Sequence, residues 1–326
     1  MGRKLFILFD GTWNDEKGLF NNEVVSNIVK LKNLIIPSEN QIVYYSRGLG
    51  SDLENLLLGM FVKGVFAVGE RKKRHRAMQF LKKTYRDGDT IYIFGFSRGA
   101  ASARLFAKDI EKKGINGKMG IKIAFLGIWD TVSAFSVPLR VLGIKLRNRR
   151  EKIILDEDIT SLNVERAVHI LSIDENRKIF EPDLIKMGPG VEEVWFPGVH
   201  SDVGGSYDKN ECQIGDLSLN YMIDRLESYI RSRNYSKINF TNERNKIKTL
   251  PSELIIHKHQ SFFNSKPRKI KVHSNSNCEY PLICDLISPL VRGKIKVVNP
   301  RNNKHYPYTP KNLKEIGKRY KLIETF

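Results

Sequence analysis

A serine between two glycines is the first feature of this sequence that could do chemistry. Residues 91–106 read IYIFGFSRGAASARLF, so an apolar run ends at GFSRG (95–99) and small, helix-favouring residues follow. A sharp strand-to-helix turn exposes such a serine hydroxyl and needs small residues two positions before and after it. The spacing predicts that Ser97 is a nucleophile and that the backbone amide of Arg98 faces a developing oxyanion. A serine that only caps the following helix is the alternative.

A nucleophilic serine needs a base that removes its proton, and histidine is the expected one. With this kind of turn the chain order is serine, acid, histidine, so the base should follow Ser97. His200 lies in PGVHSDVGGSY, a glycine-rich loop directly after an apolar run, where a catalytic loop is expected. His169 lies inside an apolar run and is predicted to be a core residue, and the C-terminal histidines lie in polar, weakly patterned sequence. The sequence therefore favours His200.

Two carboxylates are candidates for the acid behind this histidine. Asp130 directly follows the apolar run FLGIW, as an acid at the end of a strand should. Asp202 lies two residues from His200, which is too close in sequence for good geometry at the far side of the imidazole. We favour Asp130 as the acid and keep Asp202 as the alternative, or as a residue that braces the loop or orients His200.

A second oxyanion donor is expected in the loop after an earlier strand. The apolar run KLFILF is followed by Asp10, Gly11 and Thr12, which fit that place. The predicted donor is a backbone amide at Gly11 or Thr12, and a simple turn is the alternative.

These residues need a frame that brings strand ends together, and the apolar pattern provides one. Near-continuous apolar runs alternate with helical patterns, which predicts an α/β fold with a mostly parallel sheet and helices on both faces. Predicted strands are 4–9, 41–45, 90–94, 121–129 and 192–196, and predicted helices are 26–34, 70–85, 100–112 and 217–231. Residues 167–173 fit a strand or a buried helix segment, and 53–69 fit a loop with a short helix.

The predicted domain organisation is a catalytic domain at 1–250 and a polar, Lys- and Asn-rich C-terminal extension or cap at 251–326. Residues 136–165 are the candidate lid insertion. Within it, SVPLRVLGIKLRNRR (136–150) mixes apolar and basic residues, as a segment lying at an anionic membrane does. An ordinary connecting helix packed on the sheet is the alternative.

Composition narrows the function classes. The chain has 326 residues and a formal net charge of +19, which favours polyanionic partners, although solvated basic faces are an equal alternative. Cys212, Cys278 and Cys284 form no CxxC pair, so neither a disulfide framework nor a zinc site is expected. No apolar run approaches the ~20 residues of a membrane span, and no signal peptide is recognised. We expect synthesis in the cytoplasm, with action at a membrane or export by a signal-independent system.

Six segments in order resemble a known family: LFDGTWND, YYSRGLGSD, GDTIYIFGFSRGAASAR, FLGIWDTVSAF, HILSIDENRKIFEP and EVWFPGVHSDVGGSY. They are similar to the α/β-hydrolase family that includes bacterial type VI secretion phospholipase effectors and their fungal relatives. The resemblance implies an α/β-hydrolase fold, a Ser-Asp-His triad and phospholipase A activity on membrane lipids. It also implies an immunity protein or secretion machinery as partners, beside a phospholipid or other ester lipid and an anionic membrane surface. No cofactor is expected.

Two other function classes remain as alternatives. The first is a non-catalytic basic protein that binds nucleic acid or membranes on a hydrolase scaffold. The absence of a helix-turn-helix, zinc-finger or RNA-binding signature disfavours nucleic acid as its partner. The second is metal-assisted phosphoester hydrolysis by carboxylates at strand ends, namely Asp10, Asp130 and Asp202; the serine turn disfavours it.

Overall fold

The computed structural model describes several parts of the chain. They are residues 2–11, 24–48, 63–133, 163–177, 180–248, 253–257, 282–284, 296–298, 305–308, 310 and 321–323. The candidate lid at 136–165 lies outside them except for its last three residues, and so does the whole basic segment 136–150.

Among the described residues, strands and helices alternate from residue 4 to residue 129, and two more strands and then two more helices follow up to residue 232. The strands are β1 (Lys4–Phe9), β2 (Gln41–Ser46), β3 (Thr90–Phe96), β4 (Ile123–Trp129), β5 (Ala167–Ser172) and β6 (Val191–Phe196). The helices are α1 (Asn27–Leu34), α2 (Lys63–Thr84), α3 (Arg98–Lys113), α4 (His200–Gly204) and α5 (Gln213–Ser232). All five predicted strands are present, and the ambiguous segment 167–173 is a strand. Helix α2 begins earlier than predicted.

Short strands follow in the C-terminal part: β7 (Glu253–Ile255), β8 (Leu282–Cys284), β9 (Lys296–Val298), β10 (His305–Tyr306) and β11 (Lys321–Ile323). Within the described residues, eight strands form one sheet in the order β11-β8-β6-β5-β4-β3-β1-β2, and each pairing is parallel. The remaining three form a small sheet in the order β10-β9-β7. Two C-terminal strands therefore extend the main sheet, while the domain boundary at residue 250 stays a prediction.

The sheet is covered on both faces, which explains why its strands are apolar without alternation. Phe6 and Leu8 of β1 pack in one core with residues of α1 and α5, such as Leu31 and Leu226. Leu5, Ile7 and Phe9 of the same strand pack in a second core with α2 and α3. The predicted α/β fold with helices on both faces is confirmed, and it brings the carboxyl ends of β1 to β6 to one edge.

Among the described helices, we find none with the length and apolar composition that a membrane span requires.

Candidate active site

Ser97 lies in the sharp turn between β3 and α3. Its φ is 58° and its ψ is −122°, a left-handed backbone that a residue with a side chain rarely adopts. Hydrogen bonds to the next strand hold the turn: Ser97 N donates to Trp129 O at 2.9 Å, and Val132 N donates to Ser97 O at 3.2 Å. A strained conformation held from both sides in this way is typical of functional sites.

The two glycines of the turn are required by close backbone contacts. A Cβ on Gly95 would lie 2.5 Å from the carbonyl oxygen of Gly99. A Cβ on Gly99 would lie 2.2 Å from Phe9 O and 2.6 Å from Asp10 O. The first turn of α3 therefore packs directly on the end of β1, and only glycine leaves room for it.

His200 reaches Ser97 from the other side of the sheet edge. It is the first residue of α4, just after β6, and its side chain is buried. Its Nε2 lies 2.8 Å from Ser97 Oγ, and its Nδ1 lies 2.6 Å from Asp130 Oδ2. Because the carboxylate accepts, Nδ1 carries the proton and Nε2 is left to accept the hydrogen of the hydroxyl. The three residues that we favoured from the sequence are thus in one hydrogen-bonded chain.

Asp130 is held in place by the end of the neighbouring strand. It follows β4 with a φ of 41°, and its side chain is fully buried. Ser172 at the end of β5 donates to this carboxylate from both its backbone N and its Oγ, each at 3.1 Å. Hydrogen bonds from several donors fix the orientation of a buried carboxylate. Asp130 can therefore hold the imidazole of His200 in one tautomer.

Two aromatic rings flank the imidazole of His200, and the sequence reasoning missed them. The ring centroids of Phe96 and Phe180 lie 4.8 and 4.7 Å from it. Arg177 lies over Phe180 at 3.9 Å and forms an ion pair with the buried Glu175, whose Oε2 accepts from His200 N at 3.2 Å. The segment HILSIDENRKIFEP was the available signal, since it supplies Glu175, Arg177 and Phe180.

The alternative acid, Asp202, contacts a different histidine. Its Oδ1 lies 2.6 Å from His257 Nδ1, and its Oδ2 accepts from Val199 N at 2.9 Å. As the acid behind His200, Asp202 does not match the structure, because Asp130 occupies that position. The contact with Val199, the residue before His200, fits the other role considered for it, which was to brace the loop.

The three predicted oxyanion donors, Arg98, Gly11 and Thr12, differ in what the structure shows of their surroundings. Arg98 is the first residue of α3, directly after the serine, as expected. The amide of Gly11 donates to Asp10 Oδ1 at 2.7 Å, which argues against Gly11 as the second donor. Thr12 lies outside the described residues, so its role stays a prediction.

A cluster of charged side chains lies beside the turn, at the ends of β1 and β2. Asp10 is buried and accepts hydrogen bonds from Ser26 Oγ at 2.7 Å and Tyr45 OH at 2.8 Å. Burial raises the pKa of Asp10 to about 6, although these hydrogen bonds act in the opposite direction. Burial also lowers the pKa of Lys73 to about 8, against the charge of Asp10, and that of Arg98 to about 10. Lys73 thus interacts electrostatically with two carboxylates, Asp10 and Glu70, and with the guanidinium of Arg98, the residue after Ser97.

Asp10, Asp130 and Asp202 do not converge, contrary to what the metal-assisted alternative needs. Each contacts a different set of donors, and in the described part of the chain no three His, Cys, Asp or Glu side chains are grouped as metal ligands.

His169 is a buried core residue, as the sequence predicted. Its Nδ1 lies 3.1 Å from Glu193 and its Nε2 lies 3.1 Å from Thr131 Oγ1, next to Asp130.

Comparison with known proteins identifies the family of the chain. Residues 3–122 and 111–225 match the family described as the catalytic domain of Tle1-like phospholipase effectors of the type VI secretion system. This chain belongs to that family. An uncharacterised protein of Saccharomyces cerevisiae is 36% identical over 135 residues, which cover 36% of this chain and 18% of the yeast protein.

Two solved structures are similar to this Tle1-like chain. An uncharacterised protein from Pseudomonas aeruginosa has a TM-score of 0.47 and 21% identity, covering 69% of this chain and 46% of its own. The Tle1 effector bound to the VgrG spike of a type VI secretion system has a TM-score of 0.43 and 23% identity, covering 64% of this chain and 52% of its own. The chain therefore spans about half or less of these relatives.

Proposed function

We propose that this chain is a serine hydrolase that cleaves an acyl ester bond of a membrane phospholipid. Ser97 is the nucleophile, His200 the general base and acid, and Asp130 the residue that orients the imidazole. The observation that carries the proposal is the continuous contact from Ser97 Oγ through both nitrogens of His200 to Asp130, at 2.8 and 2.6 Å. This arrangement has the roles and the distances of a catalytic triad.

The reaction takes two steps. His200 Nε2 accepts the proton of Ser97 Oγ while the oxygen attacks the acyl carbonyl carbon, and the amide of Arg98 donates to the resulting oxyanion. When the intermediate collapses, His200 returns the proton to the departing glycerol oxygen, which leaves as a lysophospholipid. His200 next takes a proton from water, the hydroxide attacks the acyl-serine, and the fatty acid leaves as Ser97 regains its hydrogen.

Family membership and local charge support a phospholipid as the ester. The matched family consists of phospholipase effectors, and a phospholipid carries a phosphate near its ester bonds. Lys73 interacts electrostatically with Arg98, which directly follows Ser97, so a negative headgroup would meet these two cations near the nucleophile. The net charge of +19 would further favour an anionic membrane surface. An immunity protein and secretion machinery remain predicted partners.

The test is a comparison of wild type, Ser97→Ala and Ser102→Ala on phosphatidylglycerol micelles and on a short p-nitrophenyl ester. Ser102 lies in the same helix, where its Oγ donates to the Arg98 carbonyl oxygen at 3.2 Å, and it serves as the matched control. Removal of Ser97 should lower kcat by about 10⁵-fold or more, since a triad acts as a unit. Ser102→Ala should remain within about threefold of wild type, because it removes one hydrogen bond inside the helix and no group of the proposed triad.

Full activity of Ser97→Ala would overturn the proposal. A labelling experiment gives a second readout, because a fluorophosphonate reacts only with an activated serine. Mass spectrometry should find the adduct on Ser97. A protein that reacts with no such probe and still binds DNA in a salt-dependent manner would instead support the non-catalytic alternative.

A further inference from the structure

A second histidine, His257, is linked by hydrogen bonds through Asp202 to the backbone next to His200. His257 faces a carboxylate with each ring nitrogen: Nδ1 lies 2.6 Å from Asp202 Oδ1, and Nε2 lies 3.2 Å from Glu211 Oε2. Its backbone N also donates to Asp202 Oδ2 at 3.1 Å. Two carboxylates can both accept from one imidazole only when both nitrogens carry hydrogen, which is the imidazolium form.

The surroundings of His257 favour that charged form. Burial by itself would lower the pKa of His257, but hydrogen bonds and charges from Asp202 and Glu211 outweigh it and raise the pKa above its ordinary value. The ring of Tyr207 stacks on the imidazole with centroids 3.5 Å apart and planes 10° apart, a geometry that suits a cation over an aromatic face. The groups that face His257 thus come from α4, from the 3₁₀ turn Lys209–Glu211 and from the loop between them.

The carboxylate that binds His257 also holds the start of the helix that carries His200. Asp202 is the third residue of α4, and His200 is the first. The Oδ2 atom of Asp202 accepts from the backbone N of Val199 at 2.9 Å, directly before His200. A Cβ on Gly198 would lie 2.6 Å from Asp202 Cβ, so the loop and this side chain are in tight contact. Movement of Asp202 would therefore move the backbone of His200.

His257 comes from a different part of the chain from the rest of the site. It follows β7, beyond residues 3–225 that match the family. It also lies in the segment 251–326 that the sequence suggested as a separate extension. This segment therefore contacts the loop of the catalytic base directly.

We propose that His257 is a positioning residue, whose imidazolium links the C-terminal segment to Asp202 and so holds His200 where it reaches Ser97. This role rests on the proposed function, in which His200 is the base. When pH rises and His257 loses a proton, its neutral ring donates from one nitrogen only, and one of the two carboxylates loses its hydrogen bond. The loop of His200 then becomes less well fixed, and kcat falls.

Activity measured against pH tests this role. The full chain is assayed on a soluble p-nitrophenyl ester between about pH 5 and 10, as wild type, His257→Gln, Glu211→Gln and His75→Gln. His257→Gln should lower kcat about tenfold near neutral pH with KM nearly unchanged, and should remove the alkaline decline. Glu211→Gln should shift the alkaline decline to lower pH. His75, which contacts Gln79 on the exposed face of α2, is the matched control and should leave the profile unchanged.

A purely structural role would lower the melting temperature and leave the shape of the pH profile unaltered. An unchanged alkaline decline in His257→Gln, with kcat within about twofold of wild type, would overturn the inference.

A second readout does not need ester hydrolysis. Nuclear magnetic resonance of ¹⁵N-histidine in the Ser97→Ala protein follows the ring of His257, whose signals are assigned by their loss in His257→Gln. We expect a raised pKa that falls in Glu211→Gln; a pKa at or below the ordinary value would overturn the inference. Wild-type protein that hydrolyses no ester but shows the raised pKa would refute the proposed reaction and support the link between His257 and Asp202.

Discussion

Asp130 Oδ2 lies 2.6 Å from His200 Nδ1, although 70 residues of chain separate them. The sheet order explains this closeness, because β3, β4, β5 and β6 are consecutive neighbours and all parallel. Ser97 and Asp130 directly follow the first two of these strands, Ser172 ends the third, and His200 follows the fourth. A parallel sheet therefore brings them together at its carboxyl edge without any local sequence contact.

Replacement of the two candidate acids separates their roles. Asp130→Asn keeps the size of the side chain but no longer enforces the tautomer in which His200 Nε2 can accept, so kcat should fall about 10⁴-fold. Asp202→Asn disturbs only the loop that carries His200 and should cost about tenfold. Steady-state kcat on a p-nitrophenyl ester measures both. Equal losses in the two variants, or a larger loss in Asp202→Asn, would contradict the assignment of Asp130.

The glycine after Ser97 allows a test of the turn itself. In Gly99→Ala the new Cβ would lie 2.2 Å from Phe9 O, so α3 must move away from β1. We expect a loss of about 3 kcal/mol or more in the free energy of unfolding, with little soluble protein. Gly117→Ala is the control: its φ is +82° but nothing lies within 4 Å, so only about 1 kcal/mol of backbone strain is expected. Urea unfolding that ranks the two variants in the opposite order would refute this account.

The strands of the main sheet up to β6 could be predicted from the sequence because they are buried on both faces. Near-continuous apolar runs such as KLFILF are typical of such strands. The start of α2 at Lys63 could not be predicted from the sequence, because glycines at 64 and 69 interrupt the helical pattern. Each glycine disfavours a helix by about 1 kcal/mol. Strands β8 and β11 have three residues each, which is too short to show a period.

Some residues of the site could likewise be predicted from the sequence, and others could not. Ser97, Asp130 and His200 follow apolar runs, so position along the chain was enough to select them. Phe180 follows no such run and His257 follows only the short run LII, and their contacts with His200 and Asp202 arise when distant segments pack. The amide of Gly11 donates to the side chain of Asp10, the residue directly before it, and position along the chain gives no sign of this contact.

Phe180 should matter for catalysis through the ring that it packs against. In Phe180→Ala one of the two aromatic walls of His200 is lost, so the imidazole gains freedom and kcat should fall about tenfold with KM nearly constant. Phe80→Ala is the matched control. Phe80 lies in α2, is also half-buried, and packs on the ring of Tyr44 in β2. Both variants should lose stability in thermal unfolding, but only Phe180→Ala should lose kcat. A similar loss of kcat in both would contradict a specific role for Phe180.

Lys73 should make the choice of headgroup depend on pH. Burial lowers its pKa to about 8, so the side chain is positive at neutral pH and loses its charge as pH rises through that value. The ratio of kcat/KM for phosphatidylglycerol to that for phosphatidylcholine should therefore be largest below pH 8 and decline above it. Lys73→Met should lower the ratio about fivefold at neutral pH and flatten its pH dependence. Lys72→Met, an exposed neighbour on α2, should retain the wild-type ratio. A ratio that is the same for wild type and Lys73→Met would exclude Lys73 from headgroup selection and leave the ester chemistry of Ser97 unaffected.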